Sequence, residues 1–305
     1  MPTEFSQQVL VVFEISLILS GVWLVGLLAF KRSFCDRWMH TNKLPFWTIT
    51  LPEFCLYFLA LFAGGFLLQS ILHVWLGDFI AKSTDRAGLE IMIYGAGLDG
   101  GALIGWLLFP LLRRALYTDY GVNPPTEPAP APALSWNQTL LSGIGTVALA
   151  MPILIGLSAG WEFILKKCGL PDDPQDSIAI FADTKSPAIV AGMLIVACVL
   201  APMMEELLFR AGIYRFCRQK FGRGTALLVS SVLFGAIHFN WAGFVPLAVL
   251  GGMLALVYEA TGSIRVAIRN CFRRNFQLGP KIRELRIRSV SSDPKPRRRL
   301  QWVVS

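Results

Sequence analysis

The 23 residues from Phe54 to Leu76 read FCLYFLALFAGGFLLQSILHVWL and contain no Asp, Glu, Lys or Arg. A helix of about 20 apolar residues is long enough to cross the hydrocarbon core of a bilayer. Within lipid every backbone amide needs a partner in the protein itself, so an apolar run of this length must be helical. This stretch alone predicts a membrane protein built from helices.

Other apolar runs extend this prediction to most of the chain. The sequence is 54% hydrophobic and only 16% charged, whereas soluble domains carry about 25% charged residues. We predict an all-α, polytopic transmembrane bundle of about seven to eight spans, the eighth being lost or altered at residues 265–275. The further runs are Val9–Phe30, Leu89–Leu112, Leu140–Leu165, Ala188–Phe209, Thr225–Phe239 and Phe244–Tyr258. The run at Leu89–Leu112 is rich in glycine, which suits close approach of helices in lipid.

A proline-rich segment divides the chain into an N-terminal and a C-terminal group of helices. Five prolines fall between residues 124 and 132, and such a segment is extended and semi-rigid. We predict a three-span unit over residues 1–117, a linker over 118–138, a second group of helices over 139–268, and a basic tail over 269–305 that is aberrant or disordered. The role of the three-span unit is left open between gathering substrate and anchoring.

The positive charge of the chain is concentrated in its tail. The formal net charge is +8, and residues 264–305 hold 12 Lys or Arg against two Asp or Glu. The remainder is close to neutral, so we expect contact with lipid and no nucleic-acid partner. Basic clusters flank the cytoplasmic ends of spans. We therefore expect an integral protein of the bacterial inner membrane with a cytoplasmic tail, although Lys166 and Lys167 fall on the opposite side.

Two adjacent glutamates are expected at the end of the helix formed by the apolar run Ala188–Phe209, in the sequence Glu205-Glu206-Leu-Leu-Phe-Arg210. A charged side chain at the centre of a span costs about 2.5–3.5 kcal/mol on insertion scales, so such residues are functional candidates. Glu206 and Arg210 are four residues apart and can pair on one helix face. Glu205 is turned roughly 100° away and is expected to face a cavity. The alternative is that both acids mark an interfacial helix end.

A histidine lies in the next apolar run, in the sequence Phe234-Gly-Ala-Ile-His238. The spacing places Phe234 and His238 on one helix face. A lone histidine in an apolar helix is commonly a core residue with its hydrogen bonds satisfied. Its position one helix after the pair of glutamates makes a catalytic pairing the sharper hypothesis.

This arrangement resembles the CPBP family of intramembrane proteases, also called the type II CAAX prenyl endopeptidase family. Glu205-Glu206-x-x-x-Arg210 and Phe234-x-x-x-His238 match two of its motifs in order and spacing, and Thr261-Gly262-Ser263-Ile264 is similar to the turn before its last motif. The resemblance implies an intramembrane endopeptidase that cuts a peptide or protein substrate near the cytoplasmic face.

The resemblance also implies a role for each matching residue. Glu205 activates a water, His238 positions that water or a metal, and Arg210 pairs with Glu206. Phe234 packs beside His238. No cofactor is certain, and a divalent metal such as zinc bound by Glu205 and His238 is left open. The zinc-protease pattern His-Glu-x-x-His is absent from the sequence.

The third motif of the family, His-x-x-x-Asn/Asp, is incomplete. In register, Cys271 stands where the histidine is expected and Asn275 where the Asn or Asp is expected, so both are weak candidates and Cys271 is the weaker. Three explanations stay open: a shifted reading frame after residue 268, a variant site that uses Cys271 and Asn275, or an inactive relative whose tail binds anionic lipid. The last corresponds to a rival function as a membrane scaffold, immunity or sorting factor.

Overall fold

A computed structural model describes residues 47–118, 135–171 and 176–262, together with residues 12, 15, 16, 19, 20, 23 and 44. The described residues form helices and no β-strand, which confirms the all-α prediction. In chain order the helices are α1 (Leu51–Ala81), α2 (Arg86–Thr118), α3 (Trp136–Cys168), α4 (Asp176–Asp183), α5 (Pro187–Phe221), α6 (Arg223–Ala236) and α7 (Trp241–Thr261).

Within the described residues, α1, α2, α5 and α7 are long and apolar enough to cross a membrane. The protein is therefore an integral membrane protein, and the total of seven to eight spans stays a prediction. The run at Val9–Phe30 lies largely outside the described residues, as do most of the linker at 118–138 and the whole tail at 269–305.

Helices α1 and α2 pack backbone to backbone through glycine. A Cβ atom added to Gly101 would collide with the carbonyl oxygen of Gly64, and one added to Gly105 would collide with that of Ala60. Small residues allow this close approach, and van der Waals packing drives helix association in lipid. The expectation that the glycine-rich helix packs closely is confirmed.

Polar contacts join α1 to α2 at one end of this helix pair and join the pair to the start of α5 at the other end. At the first end, Glu53 of α1 accepts hydrogen bonds from Arg113 (2.6 Å) and Tyr117 (3.0 Å) of α2. At the other end, the Asp85 carboxylate in the turn between the helices accepts from the backbone N–H groups of Lys185 (3.1 Å) and Ser186 (2.6 Å). The start of α5 is thereby attached to the α1–α2 turn.

Helix α5 is 35 residues long and extends well beyond the predicted span at Ala188–Phe209. The expectation that Glu205 and Glu206 end this helix was therefore wrong, since they lie near its middle. The apolar run stops at Arg210, but the helix continues past this residue, and Arg210 is itself fully buried. Two π-helical segments, Val196–Leu200 and Leu207–Tyr214, flank the α-helical residues 201–206. Pro202 lacks a backbone N–H and cannot complete the hydrogen bond to residue 198, which accounts for the first segment.

A buried glutamate joins the last three helices at one end. Glu259 of α7 is 1% exposed and forms ion pairs with Arg218 of α5 and Arg223 of α6. Helix α7 then ends at Gly262, whose φ of +66° is the left-handed conformation that glycine adopts without strain. The turn expected at Thr261–Ile264 begins where α7 ends, and its residues 263 and 264 lie outside the described residues.

Candidate active site

Glu206 and Arg210 form an ion pair inside the bundle. Arg210 Nη1 lies 3.3 Å from Glu206 Oε1, and both side chains are 0% exposed. Arg210 Nη2 donates to the carbonyl oxygen of Gly251 on α7 (3.2 Å), and its guanidinium lies 4.6 Å from the ring centroid of Phe234 on α6. Arg210 thus contacts all three helices of the C-terminal group that carry or flank the motifs.

His238 lies just beyond the end of α6, at Ala236, rather than within the predicted span at Thr225–Phe239. The chain turns here because Phe239 adopts a φ of +47° and the Asn240 side chain accepts from Gly243 N–H, which caps α7. His238 Nδ1 lies 2.8 Å from the carbonyl oxygen of Phe234. A carbonyl oxygen can only accept, so Nδ1 carries the proton and donates. In the neutral ring, Nε2 is then an acceptor.

The accepting nitrogen of His238 faces the first glutamate of the motif. His238 Nε2 lies 3.9 Å from Glu205 Oε1, and the two side chains are 17% and 22% exposed. This separation is too long for a direct hydrogen bond. A carboxylate and an imidazole lone pair at this separation can both accept from one water molecule placed between them. Glu205 and His238 are thus accessible, whereas Glu206 and Arg210 are not.

A third acidic side chain, that of Asp99, lies within electrostatic range of Glu205. Asp99 belongs to α2, which lies against α5 where Gly95 faces Val196 and Gly192 faces Met92. Asp99 was not among the residues predicted from the sequence. It could have been found as an acidic residue within the apolar run Leu89–Leu112. A charged side chain within a span is costly in lipid and is hence a functional candidate.

The described residues do not supply a full set of metal ligands. No group of three His, Cys, Asp or Glu side chains in the described part of the chain is arranged to hold a metal ion. Catalytic zinc sites use three protein ligands, and Glu205 and His238 provide two. Metal binding by this pair is therefore not confirmed.

A protein-family model matches the helices that carry this site. Residues 187–269 match the family model described as type II CAAX prenyl endopeptidase, Rce1-like. The resemblance is thereby confirmed for this segment, which contains Glu205, Glu206, Arg210 and His238. The match ends before Cys271 and Asn275, which also lie outside the described residues.

One curated protein is similar to part of the chain. The protein named "Putative membrane peptidase YdiL" of Bacillus subtilis (strain 168) is 33% identical over 76 residues, which make up 25% of this chain and 31% of the relative. The chain therefore covers less than a third of the relative's length. No solved structure gives a significant match to the chain.

Proposed function

We propose that this protein is an intramembrane endopeptidase of the CPBP, or type II CAAX, kind in which Glu205 activates a water. The observation that carries this proposal is the 3.9 Å separation between Glu205 Oε1 and His238 Nε2, with both side chains partly exposed. The family match over residues 187–269 supports it independently. The name of the Bacillus subtilis relative, "Putative membrane peptidase YdiL", agrees with the same activity.

The proposed reaction begins with a water that donates one hydrogen bond to Glu205 and one to His238 Nε2. Glu205 removes a proton from this water as general base, and the resulting hydroxide attacks the carbonyl carbon of the scissile peptide bond. When the tetrahedral intermediate collapses, the C–N bond breaks and Glu205 returns the proton to the departing amine. The water is thereby divided between the new carboxyl and amino termini, and Glu205 ends in its starting state.

Glu206 and Arg210 support this reaction by fixing the relative positions of Glu205 and His238. Arg210 is fixed by Glu206, Gly251 and the Phe234 ring. Phe234 in turn accepts from His238 through its carbonyl oxygen. The buried ion pair therefore connects the helix that carries the base with the turn that carries the histidine. Small displacements of such supporting groups can lower rates by about a hundredfold.

The proposed substrate is a peptide segment of a membrane protein or peptide that enters the bundle from the lipid and is cut near the cytoplasmic face. A bacterial inner membrane and a cytoplasmic tail belong to the same proposal. Prenylation of the substrate is not needed for the chemistry described, because the reacting groups require only a peptide carbonyl.

The deciding experiment measures cleavage of a peptide library by the protein purified in detergent. Glu205→Gln keeps the size of the side chain but removes the base, and we expect kcat/KM to fall by about 10²–10⁴-fold. His238→Ala is expected to lower it as well. Glu162→Gln is the matched control, because Glu162 lies 52% exposed in a surface pair with Lys166. Equal activity of the wild type and Glu205→Gln would overturn the proposal.

The incomplete third motif favours one second candidate, an inactive relative that serves as a membrane scaffold, immunity or sorting factor. Cys271 stands in place of the expected histidine. A folded wild-type protein that cleaves no peptide would favour this candidate. The reading-frame explanation is tested by translating the gene in its two other frames beyond codon 268. An apolar stretch that contains His-x-x-x-Asn/Asp would support a frame shift, and its absence from both frames would exclude one.

A further inference from the structure

Helix α1 packs along α5, the helix that carries Glu205 and Glu206. The Phe54 ring of α1 stacks on Phe216 of α5, with centroids 3.9 Å apart and planes 9° apart. Just before α1, the Trp47 ring lies beneath the Arg215 guanidinium at 5.1 Å. The contacts of α1 with α5 thus reach the half of α5 that follows the two glutamates.

Between these contacts, one side chain of α1 bonds directly to the backbone of α5. The Tyr57 hydroxyl donates to the carbonyl oxygen of Leu207 at 2.8 Å, and the bond is buried. Leu207 directly follows Glu206 and is the first residue of the π-helical segment Leu207–Tyr214. Short π-helical segments within α-helices occur often at functional sites. Tyr57 therefore bonds to the carbonyl oxygen of the first residue of the π-helical segment.

The Tyr57 ring also packs against Gly212, which lies further along the same π-helical segment. A Cβ atom added to Gly212 would lie 3.0 Å from Tyr57 Cε1, so the ring rests directly on the backbone of the π-helical segment. The ring is fixed in turn by edge-on contacts with Trp47 (centroids 5.9 Å apart) and Phe109 of α2 (5.1 Å). Both helices of the N-terminal pair therefore determine where the hydroxyl lies.

We propose that Tyr57 is a positioning residue of the active site: its hydrogen bond to Leu207 holds the π-helical segment that directs Glu205 toward His238. This inference rests on the function proposed above. Tyr57 does not touch the reacting groups, and it acts through the backbone that follows Glu206. A buried hydroxyl or carbonyl group without a hydrogen-bond partner raises the free energy of the folded protein. The bond between Tyr57 and Leu207 satisfies both groups and is therefore stabilising. The N-terminal helix pair is then part of the catalytic framework.

The first test separates kcat from KM. Tyr57→Phe removes one oxygen and keeps the ring, and we expect kcat to fall by about tenfold or more, because misplaced catalytic groups react slowly. KM should change by less than about twofold, because the substrate contacts are unaltered. Tyr94→Phe is the matched control, since the Tyr94 hydroxyl bonds to His73 Nδ1 (2.8 Å) at an exposed position. It should leave both constants unchanged.

The second test does not depend on activity. Amide hydrogen exchange, measured by mass spectrometry on the full protein in detergent, should rise in Tyr57→Phe for peptides within residues 207–214 and stay unchanged for peptides from α7. Unchanged exchange in residues 207–214 would overturn the inference. So would a uniform rise throughout the described helices, since that would mean a general loss of stability. If the wild type cleaves no peptide, the proposed function fails, and the exchange comparison still decides the role of Tyr57.

A second variant, Gly212→Ala, disturbs the contact with Tyr57 from the side of α5. Gly212→Ala places a methyl group against Tyr57 Cε1, whereas Gly160→Ala in α3 meets nothing within 4 Å. We expect Gly212→Ala to lower kcat and to raise exchange in residues 207–214, as Tyr57→Phe does, and Gly160→Ala to do neither. Combined with Tyr57→Phe, Gly212→Ala should add little, because both changes act on the same contact. If the fold loss of kcat in the double variant equalled the product of the losses in the two single variants, the inference would be contradicted.

Discussion

Glu206 and Arg210 form an ion pair, 3.3 Å apart, in which neither side chain is exposed, although the neighbouring Glu205 side chain is 22% exposed. Adjacent residues of one helix point about 100° apart, so a single turn of α5 buries one carboxylate in the interior and leaves the other partly exposed. The two glutamates of the motif therefore have different environments, and the effects of replacing them should differ.

Replacing Glu206 should mainly affect stability. Glu206→Gln leaves the fully buried Arg210 guanidinium without a compensating charge, and breaking such a pair costs about 3–5 kcal/mol. Glu205→Gln should change the free energy of unfolding little, because the side chain is partly exposed. Unfolding in detergent, followed by circular dichroism, compares the two variants. A Glu205→Gln protein that is less stable than Glu206→Gln would contradict the different roles.

Replacing Arg210 by lysine should also destabilise the protein. Lysine keeps the positive charge but has no planar group that can both donate to Gly251 and lie on the Phe234 ring. We expect a loss of about 1–3 kcal/mol, the cost of leaving a buried partner unsatisfied. Arg86→Lys is the control, since Arg86 lies 62% exposed in a surface pair with Glu90. Equal unfolding midpoints for the two lysine variants would count against the contacts described.

The Glu259 cluster should stabilise the ends of α5, α6 and α7. Glu259→Gln leaves Arg218 and Arg223 without their shared carboxylate, and we expect the free energy of unfolding to fall by about 3 kcal/mol, at the lower limit for buried pairs because both arginines are partly exposed. Glu90→Gln disrupts a surface pair and should cost less than about 1 kcal/mol. Chemical unfolding in detergent measures both values. Similar losses for the two variants would show that burial of Glu259 is unimportant.

Close packing of α1 on α2 should make Gly105 intolerant of a larger side chain. In Gly105→Ala the added methyl group meets the carbonyl oxygen of Ala60, and overpacking of this kind costs about 1–3 kcal/mol. Gly77→Ala in α1 meets nothing within 4 Å and should be neutral or stabilising by up to about 1 kcal/mol, because alanine favours helices. Thermal unfolding distinguishes the two. A stabilised Gly105→Ala protein would refute the packing.

The sequence predicted the features that depend on neighbouring residues in the chain. Long apolar runs specify helices in lipid because the backbone has no other way to satisfy its hydrogen bonds. Each run within the described residues was found as a helix, although α6 ends at Ala236 instead of Phe239. The relationship between Glu206 and Arg210 follows from the four-residue spacing of one helix face. The end of α5 was misplaced because the prediction took Arg210 as the limit of the apolar run, and only packing shows that this arginine is buried.

Contacts between distant parts of the chain were decided by the tertiary structure. The 3.9 Å separation of Glu205 and His238, the interaction of Asp99 with Glu205 and the bond from Tyr57 to Leu207 each join different helices. A span that is apolar on all sides gives no periodic signal for the face that packs inward. The amino-acid sequence thus determined which segments are helical and which acids lie on them. Packing of the helices decided which of these groups meet, because those contacts depend on shape rather than on spacing along the chain.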